Sequence, residues 1–257
     1  MSATQPKSWS AVAPRTFETS EALAVALAGR VAAALAERLR SASRAVLAVS
    51  GGSTPVRFFE ALSEQPIDWS AIDVTLVDER WVEEQSERSN ARLVRKCLLR
   101  NAAAGARFVP LTSPSPTPEA GIEVVAALVD ALPLPLAVVV LGMGEDGHTA
   151  SFFPKGDLLS EALSPSTERK VAIIRAPGAV EPRITLTFPM LRSAGLILLH
   201  IEGEAKLRAL RAAEEPGPVE DMPIRAFLRG DPPLETFWRA NAFHARRSEI
   251  EDKSWPF

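Results

Sequence analysis

The sequence predicts an α/β fold with a mainly parallel sheet and helices on both faces, and two observations support this prediction. Apolar runs rich in β-branched residues alternate with amphipathic helical patterns, which is typical of strand–helix–strand units. Residues 137–141 form an unbroken apolar run, as expected of a strand that is buried on both faces. We therefore expect a Rossmann-like arrangement of three layers.

The predicted elements follow in chain order. A helix over residues 20–40 carries leucine and valine at four-residue steps, with Ser20 as its candidate cap. Strands are predicted at residues 45–50, 74–77, 137–141, 171–175, 183–187 and 196–202, and further helices at 56–63, 90–99, 119–132 and 204–214. Residues 111–118 and 214–221 contain the prolines of predicted loops. A chain of 257 residues without a linker favours a single α/β domain over residues 1–257, with residues 1–14 and about 246–257 as loose termini.

Composition narrows the class of partner. The net charge of −3, from 29 basic and 32 acidic residues, includes no block of like charge, so neither nucleic acid nor a membrane is expected as a partner. With no signal peptide, no apolar spanning segment and a single cysteine, Cys97, the sequence favours the cytoplasm. The three histidines lie far apart, so no metal is expected. We predict a small-molecule partner, and the sequence leaves open whether the chain is a monomer or a homo-oligomer.

A first candidate site follows the predicted strand at residues 45–50. Gly51, Gly52, Ser53 and Thr54 precede a proline, which suits the first turn of a helix. Such a turn can direct several backbone N–H groups and the helix amino end at an anion. Because the turn lacks the lysine of a nucleotide P-loop, it suits a single phosphate. The alternative is a plain strand-to-helix turn with a serine cap.

Charged residues end the next predicted strand, where Asp78, Glu79 and Arg80 follow one another. Charges of both signs at a strand end suit a polar ligand, although a surface ion cluster explains them equally well. Ser89 and Asn90 are expected to cap the following helix.

The third candidate is the turn that carries His148. The pattern Gly-x-Gly-x-x-Gly precedes this histidine and follows the strand predicted at residues 137–141. The same pattern marks dinucleotide-binding turns, but here Pro154 stops the turn early and no acidic residue ends a following strand on schedule, which argues against a dinucleotide. An imidazole can take up and return a proton near neutral pH, and Asp146 or Glu145 is expected to orient the ring.

Two basic residues, Arg183 and Lys206, would complete an anion site. Arginine offers a two-pronged contact to a phosphate and lysine offers a point charge. In isolation, each is more often a solvated surface charge. His200 ends an apolar strand and is expected to be structural, whereas His244 lies in a charged segment and is expected to be solvated.

Taken together and in order, these motifs resemble the 6-phosphogluconolactonase family. The resemblance spans most of the chain and rests on residues 50–55, 78–80, 89–90, 142–151 and 183–185. It implies a sugar-phosphate isomerase-like α/β fold. It also implies hydrolysis of 6-phospho-D-glucono-1,5-lactone to 6-phospho-D-gluconate, the second step of the oxidative pentose phosphate pathway, without a cofactor. The anion held by the turn at residues 51–54, by Arg183 and by Lys206 would then be the 6-phosphate.

The glucosamine-6-phosphate deaminases are similar through the glycine turn but differ at two motifs. They carry Asp-Glu-Tyr and His-Ile-Ala-Phe-Asn-Glu where this chain ends the corresponding motifs with Arg80 and Phe153. Because phenylalanine cannot relay a proton, a deaminase or isomerase is the less favoured alternative. A non-catalytic sugar-phosphate-binding protein is a further alternative.

The lactonase hypothesis gives the remaining candidates their roles. His148 would deprotonate a water that attacks C1 and then protonate the ring oxygen as it leaves. Arg80 or a backbone N–H group would stabilise the oxyanion. Asp78 and Glu79 would bind sugar hydroxyls or hold Arg80.

Overall fold

The computed structural model describes residues 13–240 and contains two sheets surrounded by helices. The strands are β1 (Arg15–Phe17), β2 (Ala45–Val49), β3 (Ile72–Leu76), β4 (Asp78–Arg80), β5 (Arg107–Phe108), β6 (Val138–Leu141), β7 (Val171–Ile174), β8 (Arg183–Leu186), β9 (Leu196–Glu202) and β10 (Leu234–Arg239). The helices are α1 (Ser20–Leu39), α2 (Val56–Ser63), α3 (Asn90–Cys97), α4 (Pro118–Asp130), α5 (Leu159–Leu163), α6 (Phe188–Arg192), α7 (Glu204–Glu214) and α8 (Arg225–Leu228).

The larger sheet has seven strands in the order β1-β10-β9-β6-β2-β3-β5, and every neighbouring pair is parallel. Every residue of β2, β3 and β6 is buried. Because successive side chains of a strand point to opposite faces, both faces of the sheet centre are covered. The predicted mainly parallel sheet is therefore confirmed. Sequence patterns missed β1, β5 and β10, of which β1 and β5 are short edge strands with exposed residues.

The smaller sheet has three antiparallel strands in the order β4-β8-β7, which a mainly parallel prediction allows, and sequence patterns did not predict β4. The segments expected at residues 171–175 and 183–187 form β7 and β8, which pair antiparallel, and β8 also pairs antiparallel with β4. Their connection, residues 175–182, contains no helix. A parallel pair needs a crossover of about a dozen residues or more, so two strands joined this closely pair antiparallel instead.

One hydrophobic cluster joins the two sheets. It includes Val49 and Val140 of the parallel sheet together with Ile174 and Ile184 of the antiparallel one. The two sheets therefore share one hydrophobic core, and the single domain stays a prediction. The single cysteine, Cys97, is buried in the same cluster.

The cap of α1 differs from the prediction, and the predicted chain ends lie mostly beyond the described residues. Thr19 caps α1, because its hydroxyl accepts the N–H of Ala22 at 3.0 Å, and the predicted cap, Ser20, is the first helical residue. The expected loose ends fall almost wholly outside the described residues, as does His244. No helix within residues 13–240 is long and apolar enough to cross a membrane.

Asp73 connects the edge strand β5 to the sheet. Its carboxylate is fully buried and accepts hydrogen bonds from Arg107 at 2.6 and 2.8 Å and from Arg44 at 2.5 and 3.1 Å. Burial raises the pKa of Asp73, but the hydrogen bonds and charges of the two guanidinium groups outweigh burial, so its pKa is lowered. The ionised carboxylate is therefore the form that stabilises the fold.

We predict that Asp73→Asn lowers the free energy of unfolding by about 2 kcal/mol at pH 7, because it leaves two arginines without their shared anion. The arginines are partly exposed, which keeps the loss below that of a fully buried pair. A depressed folded-state pKa contributes stability above the unfolded value of about 4, and this contribution is lost as the pH falls through the folded value. Urea unfolding should therefore show the difference between wild type and variant shrinking below about pH 4.

A matched control is Glu37→Gln, which removes an exposed ion pair with Arg40 on α1. This change should alter stability by less than about 0.5 kcal/mol. An Asp73→Asn effect no larger than that of the control would contradict the assignment.

Candidate active site

A pocket of about 370 Å³ opens at the carboxyl ends of the central parallel strands. The loops after β2 and β6 line this pocket, together with residues from β4, β8, β9 and α7. The pocket brings together most of the predicted site residues, namely Gly51, Gly52, Ser53, Thr54, Asp78, Arg80, His148, Arg183 and Lys206. The two that do not line it are Asp146 and Glu79.

The loops after β2 and β6 are tied to each other by hydrogen bonds. Ser50 donates its N–H to the carbonyl of Val140 at 3.0 Å, and its hydroxyl accepts the N–H of Gly142 at 2.9 Å. Thr149 donates its hydroxyl to the Gly142 carbonyl at 2.8 Å. The phosphate-turn candidate and the histidine turn are thus fixed relative to one another.

The turn at residues 51–54 has the properties of an anion cradle. Gly52 has a φ of +92°, which favours glycine. Gly51 lies against Asn90, since an added Cβ would come within 1.9 Å of the Asn90 Oδ1 atom. The backbone N–H groups of residues 51–54 have no backbone acceptor among residues 13–240. Buried or clustered N–H groups without partners in a pocket wall suit an anionic ligand.

Asp146, and not Glu145, is the acid that contacts the His148 ring. The Nδ1 atom of His148 lies 2.6 Å from Asp146 Oδ1, and the same oxygen accepts the His148 backbone N–H at 3.1 Å. The hydrogen bond from His148 is the main reason that the pKa of Asp146 is lowered. Because Nδ1 faces an ionised carboxylate, Nε2 is the nitrogen left for a ligand.

Gly144 leaves the space that the side chains of His148 and Asp146 occupy. A Cβ at this position would lie 2.2 Å from His148 Nδ1 and 2.5 Å from Asp146 Oδ1. The glycine pattern that imitates a dinucleotide fingerprint therefore makes room for an acid and a histidine.

Glu79 does not contact the pocket, which corrects its assignment to sugar hydroxyls. It is buried, and its carboxylate accepts the backbone N–H groups of Arg80 at 2.7 Å, Asn90 at 2.9 Å and Ala91 at 2.7 Å, together with the Ser89 hydroxyl at 3.1 Å. Burial raises the pKa of Glu79 despite these hydrogen bonds. Its contact with Arg80 is to the backbone, so Glu79 anchors the start of α3 to β4.

Asp78 is buried and does line the pocket. Its Oδ2 atom accepts a hydrogen bond from the Ser151 hydroxyl at 2.5 Å. Ser89 caps α3 as predicted, accepting the Arg92 N–H at 3.1 Å. Asn90 does more than cap, because its side chain donates to the Asp78 carbonyl at 2.9 Å and reaches the pocket wall.

Arg80 and Arg183 are directly opposite each other in the β4–β8 pair. The Nε atom of each is buried and has no hydrogen-bond partner among the described residues. Burial lowers the pKa of Arg183 while Asp78 raises it and Arg80 lowers it further. Two neighbouring guanidinium groups with unused donors favour an anion between or beside them.

Lys206 enters the pocket from the first turn of α7. Burial lowers its pKa, and the carboxylates of Glu145 and Glu202 oppose that change. His200, expected to be structural, also lines the pocket. It is buried, its ring meets Phe58 edge to face, and its Nε2 atom lies 3.5 Å from Glu202 Oε1 without a hydrogen bond. The strand pattern that predicted a structural role for His200 could not reveal that this residue lines a cavity.

Comparison with known proteins identifies the family. A family model described as glucosamine-6-phosphate isomerases/6-phosphogluconolactonase matches residues 18–238. The chain belongs to this family. The predicted membership in the glucosamine-6-phosphate isomerase/6-phosphogluconolactonase family is therefore confirmed.

Relatives within the family are similar over most of their length. A 6-phosphogluconolactonase of Rhizobium meliloti (strain 1021) is 52% identical over 223 residues, covering 86% of this chain and 96% of the relative. One of Mesorhizobium japonicum is 54% identical over 227 residues, covering 86% and 93%. The crystal structure of a 6-phosphogluconolactonase from Shewanella baltica OS155 aligns with a TM-score of 0.86 at 43% identity, covering 88% of this chain and 97% of that one. The sugar-phosphate isomerase-like fold is thus confirmed.

We predict that Gly144→Ala separates His148 from Asp146, because the added methyl group occupies the space of both side chains. The pKa of Asp146 should then rise toward its ordinary value, since its main source of depression is the hydrogen bond from His148. A ¹³C NMR titration of the Asp146 carboxyl group measures this directly. Gly29→Ala on α1, where nothing lies within 4 Å of an added Cβ, is the control. An unchanged Asp146 pKa in Gly144→Ala would contradict the described geometry.

Proposed function

We propose that this chain hydrolyses 6-phospho-D-glucono-1,5-lactone to 6-phospho-D-gluconate. The observation that carries the proposal is a histidine that lines the pocket and whose Nδ1 atom lies 2.6 Å from an acid. The names of the relatives support the same activity. Ester hydrolysis needs one base for water and one source of positive charge for the carbonyl oxygen, and the pocket contains both.

In this proposal His148 acts first as a base and then as an acid. It removes a proton from water as the water oxygen attacks C1, and Asp146 stabilises the imidazolium that forms. The tetrahedral intermediate then collapses, the bond from C1 to the ring oxygen breaks, and His148 returns its proton to that oxygen. One water is consumed, and the product is an open-chain carboxylic acid with a free hydroxyl, which ionises to the carboxylate by releasing one proton to the solvent.

Positive groups near the pocket supply the stabilisation of the oxyanion. Arg80 is the side-chain candidate, because it lines the pocket and its Nε donor has no partner among the described residues. A backbone N–H group of the pocket wall is the alternative. Both candidates are groups of the chain itself.

The 6-phosphate is assigned to the turn at residues 51–54, to Arg183 and to Lys206. All of them line the same pocket, and the donors of the turn and of Arg183 Nε have no partner there. Burial penalises the charge of Arg183 and Lys206, and a phosphate would relieve that penalty. Asp78, fixed by Ser151, is assigned to a sugar hydroxyl or to Arg183.

Deamination of an amino sugar is the less favoured activity for this pocket. Phe153 lines the wall where the deaminase pattern has a glutamate, and it has no proton to relay. The proposed substrate is a small phosphorylated sugar lactone. The proposed location is the cytoplasm, where a free, buried cysteine such as Cys97 stays reduced. The net charge of −3 is ordinary for such a protein.

We predict that His148→Ala lowers kcat by about 10²- to 10⁴-fold, the range expected for loss of a general base. The decay of freshly generated 6-phosphogluconolactone is followed by NMR and corrected for spontaneous hydrolysis. Circular dichroism checks that the variant is folded. Wild-type turnover in the variant would exclude His148 as the base, and no acceleration by the wild type would exclude the activity. Release of ammonia from glucosamine 6-phosphate would instead establish the deaminase.

We predict that Arg183→Ala raises KM for the phosphorylated lactone by about tenfold to a hundredfold, because a charge-assisted hydrogen bond contributes about 1.5–3 kcal/mol. Its kcat/KM for unphosphorylated glucono-1,5-lactone should change much less, since that substrate lacks the anion. Arg57→Ala, which removes an exposed arginine paired with Glu21, is the control and should leave both values unchanged. An Arg183→Ala variant with reduced kcat and unaltered KM would contradict the phosphate assignment.

A further inference from the structure

Phe153 occupies a position that general base catalysis alone does not explain. It is the residue before Pro154 at the end of the histidine turn, is half-buried, and lines the pocket. Local hydrogen bonds fix its backbone, because its N–H donates to the Ser151 carbonyl at 3.0 Å and its carbonyl accepts the Gly156 N–H at 2.9 Å. The ring is therefore presented to the pocket from a rigid segment.

The Phe153 ring contacts two of the proposed functional side chains. Its centroid lies 4.5 Å from that of the His148 ring, with the two planes inclined at 36°. It also lies 5.5 Å from the Cζ atom of Arg183, within the range of a cation–π contact. The Phe153 ring thus lies next to both the proposed base, His148, and the arginine proposed to bind the phosphate, Arg183.

Each of these partners lacks another restraint that the ring can provide. Within residues 13–240, the His148 ring makes one hydrogen bond, at Nδ1, and a single such bond leaves the ring free to tilt about it. Arg183 is buried, and its Nε atom has no partner within residues 13–240. A flat apolar face restricts the tilt of the imidazole, and the same electron-rich face is attractive to a guanidinium.

We infer that Phe153 is a positioning residue that fixes the His148 ring for proton transfer and sets its separation from Arg183. The inference rests on the proposed lactone hydrolysis. In this inference, Phe153 helps to set the distance between the phosphate bound at Arg183 and the lactone C1 atom next to His148, although phenylalanine itself exchanges no proton. Loss of the ring should mainly reduce kcat, because a misdirected Nε2 atom lowers the rate of the proton-transfer step. A smaller rise in KM should follow from the freed Arg183.

The experiment compares Phe153→Leu and Phe153→Tyr in the NMR assay of lactone decay. Phe153→Leu should lower kcat about tenfold and raise KM about twofold to threefold, while Phe153→Tyr keeps the ring and should stay within about twofold of wild type. Phe188→Leu is the matched control, since Phe188 is an aromatic residue outside the pocket that packs edge to face on Phe227. It should leave kcat unchanged, and melting temperatures report any loss of folding in all three.

A double-mutant cycle with Asp146→Asn separates positioning from packing. Asp146→Asn weakens both the hydrogen bond that orients His148 and the charge that stabilises its imidazolium, and Phe153→Leu removes the ring that limits the tilt of His148. Because the two variants share the effect on orientation, the double variant should lose less kcat than the product of the single losses. Fully multiplicative losses would overturn the inference, as would a Phe153→Leu variant that behaves like Phe188→Leu. A wild-type chain that fails to accelerate lactone decay would instead overturn the proposed function.

Discussion

Parallel pairing of β2 with β6 and β3 is the constraint on which the site depends. Parallel strands end at the same edge of a sheet, so the segments that follow these three strands meet there without any long-range loop. Ser50 completes the arrangement by bonding both the Val140 carbonyl and the Gly142 N–H. The small antiparallel sheet then adds Arg80 and Arg183 from the side. A shift in any of these registers would separate the histidine turn from the cations.

Unused donors on positively charged side chains are the second feature that organises the pocket. At the edge of the parallel sheet, the buried carboxylate of Asp73 pairs with the partly exposed Arg44 and Arg107. In the pocket, the buried Nε donors of Arg80 and Arg183 have no partner among the described residues. Unpaired buried donors cost free energy, so their concentration around one cavity is best explained by a ligand that satisfies them. A phosphorylated substrate would supply the missing anion and make part of the fold's electrostatics dependent on binding.

The sequence was sufficient for the parallel sheet and for most of the pocket. Apolar runs identified β2, β6 and β9, and a polar or glycine-rich segment directly after a strand identified the turns at residues 51–54 and 142–148. Pattern alone could not find β1 or β5, which are too short for a period to register. The antiparallel pair β7 and β8 was within reach, because its helix-free connection excludes a parallel crossover. Glu79 was misassigned since adjacent residues of a strand point in opposite directions, and only Asp78 and Arg80 share the pocket side.

Contacts between side chains distant in sequence were the least predictable part of the site. Nothing in the local pattern of His200 indicates that its buried ring borders a cavity. The choice of Asp146 over Glu145 likewise depends on the conformation of a turn in which Gly147 has a φ of +78°. Phe153 illustrates the same limit in a more consequential way. From sequence it signifies only the absence of a glutamate, whereas in the fold it lies against the base and against an arginine. A glutamate at this position could relay a proton, whereas a phenylalanine offers only an aromatic face. The hydrolysis proposed for this pocket needs only one base, so it does not require the relay.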